Sequence, residues 1–137
     1  MADDERRVAI AADVDIVLAR ETGRQLAEQL GFSLTDLTLI ATAVSEVARN
    51  IASFAGTGEI IFSVVRENGR QGIEVVARDQ GPGIPDIERA LKDGYSTSRG
   101  MGLGLPGARR LMDDFELSST PGSGTTVVMR KWVSTRG

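Results

Sequence analysis

The fold class of this chain is decided by residues 59–78, which read EIIFSVVRENGRQGIEVVAR. Two runs rich in valine and isoleucine, at residues 59–66 and 72–78, flank a turn that contains Asn68-Gly69. Because Asn-Gly favours positive φ angles, this pattern is typical of a β-hairpin with two antiparallel strands. A hairpin at this position favours an open α/β sandwich over a doubly wound parallel sheet.

A strand and a helix are predicted at the start of the chain. Residues 7–12 form a short strand candidate, and Asp13 or Asp15 can cap the helix that follows. This helix should run to Leu30 and end at Gly31, because glycine is favoured at the left-handed position after a helix.

A second helix is predicted directly after the first. Ser33 or Thr35 can cap it, and Gly56 marks its end. Its apolar residues recur at a spacing of three to four, which is the period of an amphipathic helix. These residues are Leu37, Ile40, Ala41, Val44, Val47, Ala48 and Ile51.

The elements after the hairpin complete the predicted architecture. Residues 86–92 and 105–114 are helix candidates, residues 115–119 and 125–133 are strand candidates, and residues 121–124 form a turn. The order is therefore strand, two helices, two strands, two helices and two strands. We expect an α+β fold, a two-layer α/β sandwich with helices on one face of a mixed, mostly antiparallel sheet.

Composition limits the classes of function that are open to the chain. Its 137 residues, 41% of them hydrophobic, suit one domain that spans residues 1–137. The absence of cysteine excludes a thiolate zinc site and a thiol nucleophile. The absence of histidine excludes a Ser-His-Asp triad and a phosphoryl-accepting histidine within the chain, which leaves carboxylates as general bases.

Charge and hydropathy bear on partners and location. The net charge is -3 with both signs interspersed, so nucleic acid is not expected as a partner. The charged N-terminus lacks a signal-peptide core, and no apolar run approaches the roughly 20 residues of a membrane span. We therefore expect a soluble, cytoplasmic protein that does not bind membranes.

Glu46 and Asn50 lie on one face of the predicted second helix. They are four residues apart, at the border of the apolar stripe, where a side chain can reach a cleft. An asparagine carbonyl is a hard oxygen ligand for Mg²⁺, and a carboxylate can take a proton from a hydroxyl that attacks a phosphoryl group. Taken alone, such a pair is more often only solvated.

Two glycine-containing segments follow the second helix. Residues 77–85, ARDQGPGIP, end a strand with the carboxylate of Asp79 and with glycines that permit close approach of a planar ligand. Residues 96–105, STSRGMGLGL, lead into a helix and can expose backbone N–H groups to phosphate. Alone, the first segment is typical of a turn and the second of a flexible linker. The second lacks the Gly-Lys-Ser/Thr ending of a P-loop and the strand context of a Rossmann fold.

Taken together and in order, these motifs resemble those of one superfamily. Glu46-x-x-x-Asn50, Asp79-x-Gly81-x-Gly83, Gly100-x-Gly102-x-Gly104-Leu105 and Gly122-x-Gly124-Thr125 are similar to the N, G1, G2 and terminal glycine-threonine motifs of the GHKL (Bergerat-fold) ATPases and kinases. Within this superfamily, the segments around them resemble the anti-sigma-factor serine/threonine kinases, and most closely the switch kinases of the stressosome.

The resemblance implies a role for each matching position. Glu46 would be the general base, and Asn50 would coordinate the Mg²⁺ that bridges the ATP phosphates. Asp79 would accept a hydrogen bond from the adenine amino group, Gly83 would let the base approach, and Thr125 would complete the adenine pocket. The positions implied for ATP binding are Asn50, Asp79, Gly81, Gly83, Ile84, Ser96, Thr97, Gly100, Met101, Gly102, Leu103, Gly104, Leu105 and Thr125.

The resemblance also implies partners. The chain would phosphorylate STAS-domain antagonist proteins on serine or threonine in a bacterial stress-signalling partner switch, and on release would activate a PP2C-type phosphatase. An anti-sigma factor that sequesters RNA polymerase sigma would have the same fold. The same fold would also occur in a catalytic fragment of a histidine kinase, gyrase, mismatch-repair or Hsp90-type protein. It would occur as well in a degenerate adaptor that binds no nucleotide.

The sequence leaves two further points open. One is whether the chain forms a homodimer. The other is which cation meets the γ-phosphate, since Arg99 is the only basic residue between Gly94 and Gly102.

Overall fold

The structure is a computed structural model that describes residues 5–81 and 104–134. One layer of the fold is a β-sheet. Within these residues the sheet has five strands in the order β1-β2-β3-β5-β4. Every pairing between them is antiparallel. The strands are β1 (Arg6–Ile10), β2 (Gly58–Glu67), β3 (Arg70–Asp79), β4 (Asp114–Thr120) and β5 (Gly124–Trp132).

The hairpin that the sequence predicts joins β2 to β3. Asn68 has φ 55° and Gly69 has φ 81°, so both turn residues lie in the left-handed region. The last residue of β2, Glu67, pairs with the first residue of β3, Arg70, which makes the turn two residues long. The prediction of an antiparallel hairpin is therefore confirmed, because the turn chemistry fixes the register of both strands.

Within the described residues, the second layer contains helices α1 (Asp13–Leu30), α2 (Leu34–Phe54) and α3 (Gly104–Leu111). At the start of α2, Ser33 Oγ accepts a hydrogen bond of 3.1 Å from the backbone N–H of Asp36. Of the two caps that the sequence offers for α2, the structure therefore uses Ser33. After α1, Gly31 takes φ 92°, the left-handed conformation predicted for it.

Two predicted elements extend at least two residues beyond their observed ends. Strand β1 ends at Ile10 rather than at residue 12, because the carboxylate of Asp15 accepts hydrogen bonds from the backbone N–H groups of Ala11 and Ala12, at 2.8 and 3.0 Å. These bonds make residues 11–12 the lead into α1. Helix α3 ends at Leu111 rather than at residue 114, because the N–H of Asp113 already bonds to the sheet, 2.9 Å from a β5 carbonyl.

The hydrophobic core lies between the sheet and the helices. The strand residues of the core cluster occupy alternate positions and so share one face of the sheet, against which α1 and α2 pack, while α3 packs on α2 and adds to the same core. Helix α1 approaches the sheet closely, since a Cβ added at Gly23 would lie 2.8 Å from a ring carbon of Phe62 on β2. The strand residues of this core are Val8, Ile10, Ile60, Phe62, Ile73, Val75, Ala77, Val127 and Met129.

This arrangement confirms the predicted two-layer α/β sandwich. The sheet is more regular than the mixed sheet that the sequence suggested, since it is antiparallel at each described pairing. The predicted helix at residues 86–92 lies outside the described residues. None of the helices in the described part of the chain combines the length and the apolar character that a membrane crossing needs.

Candidate nucleotide site

Glu46 lies on α2, beside the apolar stripe that packs onto the sheet. The residue is 7% exposed, which is unusual for a glutamate because burying a carboxylate requires hydrogen-bonding partners. Its Oε1 accepts a hydrogen bond of 2.7 Å from the backbone N–H of Gly104. Its Oε2 accepts one of 3.0 Å from the guanidinium of Arg49. Both oxygens of this buried carboxylate are therefore held by donors from the chain.

Asn50 lies one helical turn beyond Glu46, as the spacing predicts. It is half-buried, on the same side of α2 as Glu46. Its position leaves an amide group at the border of the core, near the carboxylate of Glu46. The sequence thus correctly placed a carboxylate and an amide on one face of the helix.

Helix α3 is held at both ends. Gly104, its first residue, has φ 63° and bonds to Glu46 through its N–H. At the other end, Nζ of the buried Lys131 on β5 donates a hydrogen bond of 2.9 Å to the carbonyl oxygen of Leu111. A cation at this end also complements the partial negative charge of a helix C-terminus. Between these ends Leu105 is buried in the core, so α3 has a fixed position relative to α2.

Asp79 is the last residue of β3, and its neighbours in the sheet are Gly58 on β2 and Thr125 on β5. The Asp79 Oδ1 accepts a hydrogen bond of 2.8 Å from the N–H of Gly81, which closes a tight turn and orients the carboxylate. Thr125 is buried, and its Oγ1 lies 2.9 Å from the Oγ of Ser119 on β4. Two of the three residues predicted to surround adenine are therefore direct cross-strand neighbours.

Glycines make the end of β3 accessible to close approach by other backbone segments. A Cβ at Gly124, which has φ 98°, would collide with the backbone oxygen of Asp79. A Cβ at Gly81 would lie 2.6 Å from the Cβ of Ala55, at the end of α2. This contact of Gly81 with Ala55 brings the turn after Asp79 against α2, next to the end that carries Asn50.

The described site residues therefore follow α2 from its middle to its C-terminal end. Glu46 and Gly104 meet in the middle of the helix, while Asp79, Gly81 and Thr125 gather near its C-terminal end. The span from Glu46 to residue 55 is about 13 Å along a helix that rises about 1.5 Å per residue. An extended ATP molecule can span that distance.

The other members of the predicted site lie within residues 82–103, outside the described residues. They are Gly83, Ile84, Ser96, Thr97, Gly100, Met101, Gly102 and Leu103.

Two residues of the site were missed by the sequence interpretation. Arg49 contacts the carboxylate of Glu46, and its spacing of three residues from Glu46 was a signal that could have pointed to this pair. Gly58 lies beside Asp79 in the sheet, but no local signal marks it, because the pairing joins residues on different strands.

A cavity of about 640 Å³ opens beside Asp79. Its wall includes Glu59 and Arg78, whose register positions alternate with those of the buried core, so it extends toward the face of the sheet opposite α1 and α2. The hydrogen bond from Arg78, at 2.8 Å, lowers the pKa of Glu59 below its usual value of 4.5, and the charges of Arg78 and Arg7 add to this effect. Since the cavity wall consists mainly of residues away from Glu46, we assign the candidate nucleotide site to the helix side of Asp79.

Several known proteins have sequences similar to this chain. Residues 35–135 match the family of histidine kinase-, DNA gyrase B- and HSP90-like ATPases. The chain is 49% identical over 131 residues to the serine/threonine-protein kinase RsbT of Bacillus subtilis, with 96% of this chain and 98% of that protein covered. It is 33% identical over 121 residues to the anti-sigma F factor of Caldanaerobacter subterraneus subsp. tengcongensis, with 84% and 83% covered.

Solved structures agree with the fold. A chain from the crystal structure of the SiaB-SiaC complex of Pseudomonas aeruginosa superimposes with a TM-score of 0.54. The match covers 94% of this chain and 89% of that one, at 12% sequence identity, and at this identity it supports the fold alone.

The motifs, the sandwich fold and the relatives lead to one assignment, which confirms the resemblance seen in the sequence. The chain belongs to the family of histidine kinase-, DNA gyrase B- and HSP90-like ATPases, and within it to the serine/threonine-protein kinases.

Proposed function

We propose that this chain transfers the γ-phosphoryl group of ATP to a serine or threonine of a STAS-domain antagonist protein in a bacterial stress-signalling partner switch. The observation that carries the proposal is the buried carboxylate of Glu46, which is held by the N–H of Gly104, the last glycine of the sequence motif Gly100-x-Gly102-x-Gly104, and lies one turn from Asn50. This arrangement puts a proton acceptor beside the segment that would hold phosphate. Residues 1–137 would form one kinase domain that acts in the cytoplasm, where ATP is available.

The described residues would bind the adenine at one end of the site and the metal and phosphates at the other. Asp79 would accept a hydrogen bond from the adenine amino group, and the buried hydroxyl of Thr125 would line the same pocket. Asn50 would supply an amide oxygen to Mg²⁺, an oxygen-preferring cation that neutralises phosphate charge when bound. The donor types present therefore suit Mg-ATP.

Glu46 would act as the general base for the acceptor hydroxyl. A general base must come within about 2.6 to 3.2 Å of the proton donor. The two hydrogen-bond donors to Glu46 use one lone pair of each carboxylate oxygen. Because a carboxylate offers about four acceptor positions, a further hydrogen bond from a hydroxyl is compatible with the geometry. The fixed carboxylate would take the hydroxyl proton while the loop amides stabilise the phosphate oxygens.

A second candidate function is that of an anti-sigma factor. The observation in its favour is the 33% identity to the anti-sigma F factor of Caldanaerobacter subterraneus subsp. tengcongensis. The two functions differ in the protein that is captured. In the first, the chain released from its STAS partner would activate a PP2C-type phosphatase; in the second, it would sequester sigma.

The decisive experiment is a phosphotransfer assay with the purified chain, Mg-ATP and a panel of STAS proteins encoded nearby. We expect label on one serine or threonine of a STAS protein, and none when that residue is replaced by alanine. Failure to label any STAS protein, with retained ATP binding, would argue against the substrate class.

Pull-downs with sigma and with the PP2C-type phosphatase separate the two functions. Capture of the phosphatase supports the switch kinase, whereas capture of sigma supports the anti-sigma factor and contradicts the first function. The elution volume of the same purified chain reports whether a homodimer forms.

A further inference from the structure

The ion pair between Arg49 and Glu46 differs from the other helical ion pairs of the described residues. Its N–O distance is 3.0 Å, and the exposed fractions of the two side chains are 29% and 8%. Other pairs along the helices are longer and more open to solvent, such as Arg24 with Glu28 at 3.7 Å, with 38% and 63% exposed. Surface pairs of that kind contribute little, because water and salt screen them. In the Arg49–Glu46 pair, the glutamate side chain is shielded from solvent.

The position of Arg49 explains why it reaches Glu46. The residues are three apart on α2, so their side chains lie on neighbouring ridges of the same face. Asn50 follows Arg49 directly, and the three residues occupy a continuous arc of about 100° around a helix that turns about 100° per residue. Around the helix, Glu46 lies between Arg49 and Asn50, so the cation borders the proposed base on the side away from the proposed metal ligand.

Two donors fix the orientation of the Glu46 carboxylate. The N–H of Gly104 holds Oε1 and the guanidinium of Arg49 holds Oε2. Rotation of a glutamate carboxylate about its last torsion is broad and roughly two-fold, so one donor alone leaves the second oxygen weakly restrained. A second, charged donor on the other oxygen removes that freedom, because charge-assisted hydrogen bonds are the stronger kind.

We propose that Arg49 is a positioning residue for phosphoryl transfer, which fixes the carboxylate of Glu46 in the orientation that receives the proton of the acceptor hydroxyl. This inference rests on the proposed function. In this role, Arg49 affects the rate of phosphoryl transfer by orienting Glu46 and makes no direct contact with ATP. Reacting groups must be held to within a fraction of an ångström, and a displacement of about 1 Å costs up to about 100-fold in rate.

The test compares Arg49→Ala, Arg49→Lys and Arg49→Gln with the wild-type chain in the phosphotransfer assay. We expect Arg49→Ala to lower kcat by about 10- to 100-fold while KM and Kd for ATP change less than about twofold. Arg49→Lys keeps a cationic donor and should recover part of kcat. Arg49→Gln keeps a neutral donor, so its kcat should lie between those of Arg49→Lys and Arg49→Ala. Thermal unfolding of each variant checks that the fold is retained.

A double-mutant cycle with Glu46→Gln tests whether Arg49 acts through Glu46. If it does, Arg49→Ala has its full effect in the wild-type chain and almost none in the Glu46→Gln background, as measured in single-turnover reactions. The matched control is Arg24→Ala, which removes the arginine of an exposed helical pair on α1 and should leave kcat unchanged.

Three results would overturn the inference. One is a kcat for Arg49→Ala equal to that of the wild type. Another is a selective loss of ATP affinity at unchanged kcat, which would make Arg49 a phosphate-binding cation. The third is an equal effect of Arg49→Ala with and without Glu46→Gln. Full activity of Glu46→Gln itself would instead contradict the proposed role of Glu46, so the two failures are distinguishable.

Discussion

The carboxylate of Glu46 on helix α2 accepts a hydrogen bond of 2.7 Å from the backbone N–H of Gly104, the first residue of helix α3, across 58 residues of sequence. This bond joins the two parts of the site that the sequence presents as separate motifs. It also gives Glu46 two tasks, because the side chain holds the start of α3 in addition to its proposed role as a base. Substitutions at this position should separate the two tasks.

Glu46→Gln should abolish phosphotransfer while the fold and ATP binding are kept. The glutamine Oε1 can still accept the hydrogen bond from Gly104, but the amide cannot take a proton, and general base catalysis contributes about 100- to 10,000-fold. Phosphotransfer kinetics, ATP affinity and thermal unfolding are the measurements. In contrast, Glu46→Ala should also destabilise the chain by about 1 to 3 kcal/mol, because it leaves the Gly104 N–H without its partner. Equal stability of the two variants would show that the bond does not hold α3.

Asp79→Asn should weaken ATP binding with little effect on the fold. The asparagine Oδ1 can keep the hydrogen bond to the Gly81 N–H, so the turn is preserved, but the charged acceptor proposed for the adenine amino group is lost. Hydrogen bonds to charged groups contribute about 1.5 to 3 kcal/mol, which corresponds to a loss of affinity of about 10- to 150-fold. Calorimetric titration with ATP measures this loss. Unchanged affinity in a folded variant would remove Asp79 from the adenine pocket.

Gly124→Ala should destabilise the chain more than Gly122→Ala does. Both glycines have positive φ, 98° and 82°, so both alanine variants carry the cost of a left-handed conformation, about 1 to 2 kcal/mol. Only at Gly124 would the added methyl group collide with the backbone of Asp79, since Gly122 has open space around it. Overpacking of this kind adds about 1 to 3 kcal/mol. Urea unfolding of the two variants measures the difference, and equal destabilisation would contradict the close approach.

Glu59 should make the stability of the chain sensitive to acid. Its pKa in the folded chain is lowered by the Arg78 hydrogen bond and by the charges of Arg78 and Arg7, so the unfolded chain binds the proton more readily. The resulting stabilisation is present above pH 4.5, the usual pKa of the group, and is lost as the pH falls through the lower folded-state value.

Two variants test this pH dependence by urea unfolding at a series of pH values. Glu59→Gln should be less stable than the wild type at neutral pH and differ little from it in strong acid. Arg78→Gln removes the main cause of the lowered pKa and should also reduce the acid sensitivity of the chain. A stability difference between wild type and Glu59→Gln that stays constant over this pH range would contradict the effect.

Features that depend on a few neighbouring residues were predicted correctly. The hairpin turn at Asn68-Gly69 and the helix end at Gly31 both follow from left-handed backbone conformations that glycine and asparagine adopt at low cost. The end of α3 was wrong because it depends on a longer-range bond. Asp113 leaves the helical pattern because its N–H bonds to β5, a contact that periodicity along the chain cannot show.

By itself, the sequence determined that Glu46 and Asn50 share a face of one helix, because a spacing of four residues has only one geometric outcome on an α-helix. It also determined the family, through motifs whose order along the chain is distinctive. Only the tertiary structure decided that Glu46 is buried against Gly104, and that Asp79 lies between Gly58 and Thr125. These contacts arise when the core brings α3 onto α2 and β5 beside β3, and such packing depends on side chains far apart in the sequence.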